Sequence, residues 1–216
     1  MSVLEGEIRK ISKIAAGGDH KPSLDEYGNF VTSMGLPPYA RLAAAGKLFV
    51  YDMHAGTAKA PVVAMPTTSP EWGLYNASPT DTCVVLQISC SLKSGTAGLG
   101  LALVAAAAKG PQTAVTSAYT ASIVSCCDGS QRVPDVFLTN NPTLVGGTPA
   151  WHVWDATEVN TVATDSVGDG LVADIQGALV ARPNGGMVAW EAVGETGTTA
   201  LFSVSVLFAM LDLERY

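Results

Sequence analysis

The sequence predicts an all-β domain, an antiparallel sandwich or barrel, preceded by a short helix and an extended arm. Three observations predict it. From Gly46 onward, about ten short apolar stretches follow one another, separated by Gly, Pro, Thr and Asn turns. Within them the apolar residues recur with period two, the spacing of a strand with one buried face. Charged residues make up only 14% of the chain, against about 25% in an ordinary soluble domain.

The first 45 residues read differently from the rest. Leu4, Ile8, Ile11 and Ala15 recur at helical spacing, and Ser2-Val3-Leu4-Glu5 matches a capping box. Gly6 weakens that helix by roughly 1 kcal/mol relative to Ala. The stripe Leu4, Ile8, Ile11 needs a partner surface and is a candidate interface. "AAGGDHKPS" (15–23) reads as a connection. Pro37 and Pro38 favour extended chain leading into a short Ala-rich turn or helix at "YARLAAAG". Residues 1–45 are therefore expected to form a helix and an arm, and residues 46–216 the β body.

The strand candidates, in order, are 47–53, 60–65, 71–76, 81–92, 98–108, 113–126, 150–157, 170–181, 186–193 and 200–211. The last is the most informative. Phe202, Val204, Val206, Phe208 and Met210 share one face; Leu201, Ser203, Ser205, Leu207, Ala209 and Leu211 share the other. The second face begins polar and becomes apolar. A face open to water stays polar, so a second surface should cover its end, with Leu207 and Leu211 as candidate interface residues. A bulge that resets the register is the other reading of the same pattern.

Four cysteines occur, with no C-x-x-C. Cys83 and Cys90 lie seven apart in one strand candidate, which puts them on opposite faces. Cys126 and Cys127 are adjacent and diverge. All four read as small buried hydrophobes rather than a disulfide or metal set.

No reactive constellation emerges. There is no G-x-S-x-G, no phosphate-binding G-x-x-x-x-G-K and no Gly-rich dinucleotide fingerprint. His20, His54 and His152 stand apart without H-x-H or H-x-x-x-H spacing, so no zinc site is expected. "DSVGDG" (165–170) resembles the start of a calcium loop but has Val167 in place of the middle acid; a turn is expected. Trp72, Tyr75 and Trp151 are the aromatics that could stack on a sugar, in a lectin-like reading; core packing is the competing one. No catalytic residue, cofactor or metal is expected.

The net charge of −7 argues against coating nucleic acid, which needs a clustered basic footprint. Residues 1–59 hold seven Lys/Arg against six Asp/Glu, and the remaining residues five against thirteen. No run reaches the 18 or so apolar residues of a membrane span. The N-terminal residues lack the apolar core of a secretion signal, so synthesis in a cytoplasm is expected.

The segments "PPYARLAAAGKLFVYDMHAGTAKAPVVAMPTTSPEWGLYNAS" and "ARPNGGMVAWEAVGETGTTALFSVSVLFAML" resemble, in order and texture, small β-sandwich virion proteins of tailed bacteriophages. The similarity spans residues 37–108 and 182–211. It implies a jelly-roll sandwich, a homo-oligomer (trimers by analogy), and a place in the virion as a capsid, cement (decoration) or head-attached protein. The expected partners are identical subunits and other virion proteins, with neither nucleic acid nor membrane. Low charge and greasy outer strand faces point the same way, because repeated contacts between copies cover apolar surface. Two other readings stand beside it: a carbohydrate- or receptor-binding sandwich such as a head fibre, and a cupin-type metal enzyme.

Overall fold

A computed structural model describes residues 39–52, 58–96, 98, 100–115, 123–129, 135–157, 170–195 and 198–212. They all belong to the unit Tyr39–Tyr216. The helix predicted over residues 2–15, with Leu4, Ile8 and Ile11, lies outside the described residues, as do His20, His54 and most of "DSVGDG".

Among the described residues, one short helix, α1 (Ala40–Ala44), precedes ten strands: β1 (Leu48–Asp52), β2 (Trp72–Asn76), β3 (Thr82–Thr96), β4 (Leu101–Ala107), β5 (Ile123–Ser125), β6 (Val136–Asn140), β7 (His152–Thr157), β8 (Gly170–Ala181), β9 (Gly186–Gly194) and β10 (Thr198–Leu211). They form two five-stranded sheets, ordered β5-β1-β10-β3-β8 and β6-β2-β9-β4-β7. The pairing is nested and antiparallel: β1 with β10, β2 with β9, β3 with β8, and β4 with β7. Eight strands thus make one long two-stranded ribbon rolled across both sheets, the jelly-roll arrangement. β5 and β6 lie in the chain between β4 and β7, and each adds an edge strand, beside β1 and β2 respectively.

The core lies between the sheets and follows the period-two pattern. Phe202, Val204, Val206, Phe208 and Met210 of β10 all enter it. Opposite them, Trp72 on β2 and Trp190 on β9 are direct cross-strand partners, each wholly buried. Each ring removes about 150–250 Å² from water, on the order of 4–6 kcal/mol at about 25 cal/mol per Å². Neither indole N–H meets an acceptor among the described residues, which costs about 1–3 kcal/mol apiece. Burial wins.

A bulge in β3 changes the expected parity. Val85 pairs with Phe208 and Gln87 with Leu207, leaving Leu86 as an extra residue. On the other side the register jumps from Val85↔Leu179 to Gln87↔Asp174, and β8 absorbs the offset through Gln176 and Gly177, both with positive φ. Gly177 suits this bulge because φ is 83° there. Leu86 turns outward while Val85 and Ile88 both face the core. Cys83 and Cys90 consequently share the core face, correcting the opposite-face expectation.

Three strand expectations need revision. Residues 60–65 do not form a strand. The chain there crosses between the sheets, with Lys59 bridging to Phe202 of β10 and Val62 to Val193 of β9. Pro61 and Pro66 flank a segment that cannot keep donating to one ladder. Of residues 113–126 only Ile123–Ser125 is a strand among the described residues. β6 is unanticipated; its five residues alternate Val136 and Leu138 inward with Phe137 outward.

α1 explains the apolar end of β10. Ala40–Ala44 follows Pro38 and ends at Gly46, whose N–H donates to the Ala43 carbonyl at 2.8 Å. Its Leu42 and Ala43 pack with Tyr39, Leu48, Leu86 and Ala209 on the outer face of the β1–β10–β3 sheet. Leu207 and Leu211 belong to the same cluster and are half-buried. The covering surface at this end is thus supplied by the chain itself.

Candidate functional site

The outer face of the sheet containing β10 carries the least ordinary chemistry for a water-facing surface. One register row crosses all five strands: Val124, Val50, Leu207, Gln87 and Asp174. The next contains Ser205, Ser89 and Val172, and the one beyond it Ser203, Ser91 and Gly170. Charged residues are few there: Asp52 of β1 is the register partner of Ser205, Asp174 lies on β8 and Lys93 further along β3. Val172 is 52% exposed and Leu201 37% exposed. Across the open side of the sandwich, Val153 of β7 is 58% exposed. The Asp155 carboxylate accepts the Val172 N–H at 2.7 Å, tying the edges of β7 and β8 and occupying one donor that an added strand would use.

The stacking candidates are placed elsewhere. Trp72 is in the core and offers no open ring face. Tyr75 is buried on the outer side of the other sheet, stacked against Phe137 at a centroid distance of 6.3 Å. Trp151 is half-buried against that cluster, its Nε1–H donating to the Thr67 carbonyl at 3.2 Å. Tyr75 and Trp151 thus belong to one outer cluster, and Trp72 lies apart from them in the core. His152 is exposed on β7, and among the described residues no group of three or more His, Cys, Asp or Glu is placed to hold a metal ion.

The cysteines divide. Cys83 and Cys90 are buried and free, and burial pushes both thiols far up. Cys126 and Cys127 are free and exposed, correcting the expectation that all four are buried. They sit in the turn after β5, where the Gly129 N–H donates to the Ser125 carbonyl at 2.9 Å.

Sequence reasoning missed one cluster entirely. Glu191, in the middle of β9, is 1% exposed. Its Oε2 accepts the Glu71 N–H at 2.7 Å, while Oε1 has no hydrogen-bond partner among the described residues. Lys59 Nζ lies 3.2 Å from Glu71 Oε2 and 3.3 Å from Asn141 Oδ1. Burial is the main reason that the Glu191 carboxyl is pushed up to about 8; the Glu71 carboxylate adds to the rise, while backbone N–H bonds and Lys59 oppose it. The arrangement clamps the Lys59–Val62 crossing to the start of β2 and to β9. A single Glu in "VAWEAVG" gives no sequence signal; only the fold brings Lys59, Glu71 and Glu191 together. No family model, curated protein or solved structure matches the chain.

Proposed function

We propose that this protein is a non-enzymatic structural subunit that associates with copies of itself, of the kind that stabilises a phage particle as a capsid, cement or head-attached component. The observation that carries the reading is the outer sheet face built from Ser89, Ser91, Ser203, Ser205, Val172 and Gly170, small residues among which charge is sparse, with Asp52 beside Ser205 in the register. A solvated sheet face ordinarily carries charged and long polar side chains, and large patches without them mark interaction surfaces. Small side chains let a second flat surface approach closely. The jelly roll is a scaffold that capsid proteins share with lectins and cupins, so it supports the reading by analogy alone.

The test places charge in the centre of that face. Ser89 and Ser205 are direct cross-strand partners, so Ser89→Lys with Ser205→Lys puts two like charges side by side. The wild type should sediment as an oligomer at micromolar concentration, and the double variant as a folded monomer by circular dichroism. A wild type that is monomeric under those conditions, or an oligomer indifferent to both lysines, overturns the proposal.

A further inference from the structure

A cleft of about 470 Å³ opens where β4 ends and the β8–β9 turn begins. Its walls are largely apolar, from Ala107, Ala108, Pro111, Val180 and Met187, and Arg182 lines it. The volume lies within the range of small-molecule sites, roughly 300–1,000 Å³. Arg182 is exposed, and its guanidinium makes no hydrogen bond or ion pair with any described residue.

The cleft is held open by its own backbone. Gln112 is buried, and its Nε2 lies 3.1 Å from the carbonyls of Lys109, Gly110 and Val145. Its backbone N–H donates to the Gly185 carbonyl at 2.7 Å, and its Oε1 accepts the Val145 N–H at 2.7 Å. One residue therefore fixes these segments in register: its side chain ties the 109–112 loop to residue 145, and its backbone N–H ties that loop to the β8–β9 turn. At Gly186 an added Cβ would lie 2.2 Å from the Arg182 backbone nitrogen, so the turn that carries Arg182 is closed too tightly for a side chain there. A preformed cleft avoids the ordering cost that weakens binding to mobile loops.

We infer that this cleft binds a small apolar carboxylate, its hydrocarbon part against Ala107, Pro111, Val180 and Met187 and its carboxylate on the Arg182 guanidinium. The guanidinium presents paired N–H donors matched to the two oxygens of a carboxylate. The chain as a whole is acidic, so an arginine beside apolar walls with no partner among the described residues is the local exception that selects an anion.

The experiment titrates the full-length protein with octanoate and, separately, with octanol, followed by calorimetry or by backbone amide shifts. Octanoate should bind saturably, and octanol at least about tenfold more weakly, the loss expected for one charge-assisted contact. Arg182→Gln should reduce octanoate to the octanol level with an unchanged circular dichroism spectrum, whereas Lys93→Gln on β3 should leave it unaltered. Octanoate binding should also weaken as salt rises, since Arg182 is open to solvent. Equal affinity for the two probes, full octanoate binding by Arg182→Gln, or no saturable binding of octanoate would each overturn the inference.

Discussion

Glu191 Oε2 accepts the backbone N–H of Glu71 across the β2–β9 boundary at 2.7 Å, and the two carboxylates share one nearby cation, Lys59. Two acids beside one base, with one of the acids shut away from water, leave that acid better off protonated. Glu191 is that acid, being almost wholly buried. Lys59 and Glu71 are each partly exposed, so their own ion pair contributes little.

This relationship sets a pH dependence. The Glu191 carboxyl rises from an ordinary 4.5 to about 8 on folding, so the native state holds a proton that the unfolded chain releases. Its contribution is fully present below about 4.5, declines as pH rises, and is lost by about 8. Glu191→Gln keeps an acceptor for the Glu71 N–H and removes the titration. The stability of wild type relative to Glu191→Gln should fall by on the order of a few kcal/mol between those limits and level off above them. Urea denaturation at a series of pH values measures the difference. A difference that stays flat from pH 5 to pH 8 would show that Glu191 does not titrate in this window.

The thiols should separate into two classes. Cys126 and Cys127 are exposed, whereas Cys83 and Cys90 are buried on the core face through the Leu86 bulge. The reactive species is the thiolate, which burial suppresses at the latter two. A chromogenic disulfide reagent should label two thiols rapidly in the native protein and all four in denaturant. Trapping and peptide mapping should place the fast pair at 126 and 127. Rapid labelling of Cys90 in the native protein would mean that the bulge does not turn it inward.

The same bulge marks the limit of what the sequence reveals. Period-two alternation locates most strands, and it assigns both faces of β10 correctly, because Phe202 to Met210 alternate without interruption. It cannot place Cys83 relative to Cys90, since one extra residue in β3 reverses every side chain beyond it. Residues 60–65 mislead for a related reason. Their Val-Val-Ala composition suits a strand, but Val63 and Met65 are 72% and 46% exposed, and the segment meets the two sheets through single bridges at Lys59 and Val62 rather than along one ladder. The Lys59–Glu71–Glu191 cluster is invisible because its members lie far apart in the chain and fit no motif. The pairing of β1 with β10 and β2 with β9, which makes the sandwich a jelly roll, is likewise a long-range relation that local pattern does not encode.

The tryptophans provide a contrast between core and surface. Trp72→Ala removes a ring from the centre of the core, opposite Trp190, and should destabilise by about 3–5 kcal/mol. Trp151→Ala removes a half-buried ring and its bond to Thr67, and should cost about 1–2 kcal/mol. Denaturant midpoints measure both. Equal losses would contradict the placement of Trp72 between the sheets.

Asn76 should be the most sensitive polar residue in the sandwich. It is fully buried at the end of β2. Its Nδ2 donates to the Asp81 and Ala181 carbonyls at 2.8 and 2.9 Å, and its Oδ1 accepts the Ser78 N–H at 3.0 Å. The side chain thus closes the β2–β3 turn and ties it to the end of β8 in the opposite sheet. Asn76→Ala would strand these groups where water does not reach, at about 1–3 kcal/mol for each group left unpaired. The total should approach about 3–4 kcal/mol, because the turn can relax and resolvate some of them. Asn76→Asp should be nearly as damaging, since a carboxylate keeps the acceptor for Ser78 but offers no donor to either carbonyl. Hydrogen exchange distinguishes this from a general loss of stability. The amides of Asn184 and Gly185, which donate to the Ser78 and Asn76 carbonyls, should lose protection in both variants by more than the global change accounts for. Protection there that tracks the core strands would show that Asn76 acts on the whole sandwich and not through this turn.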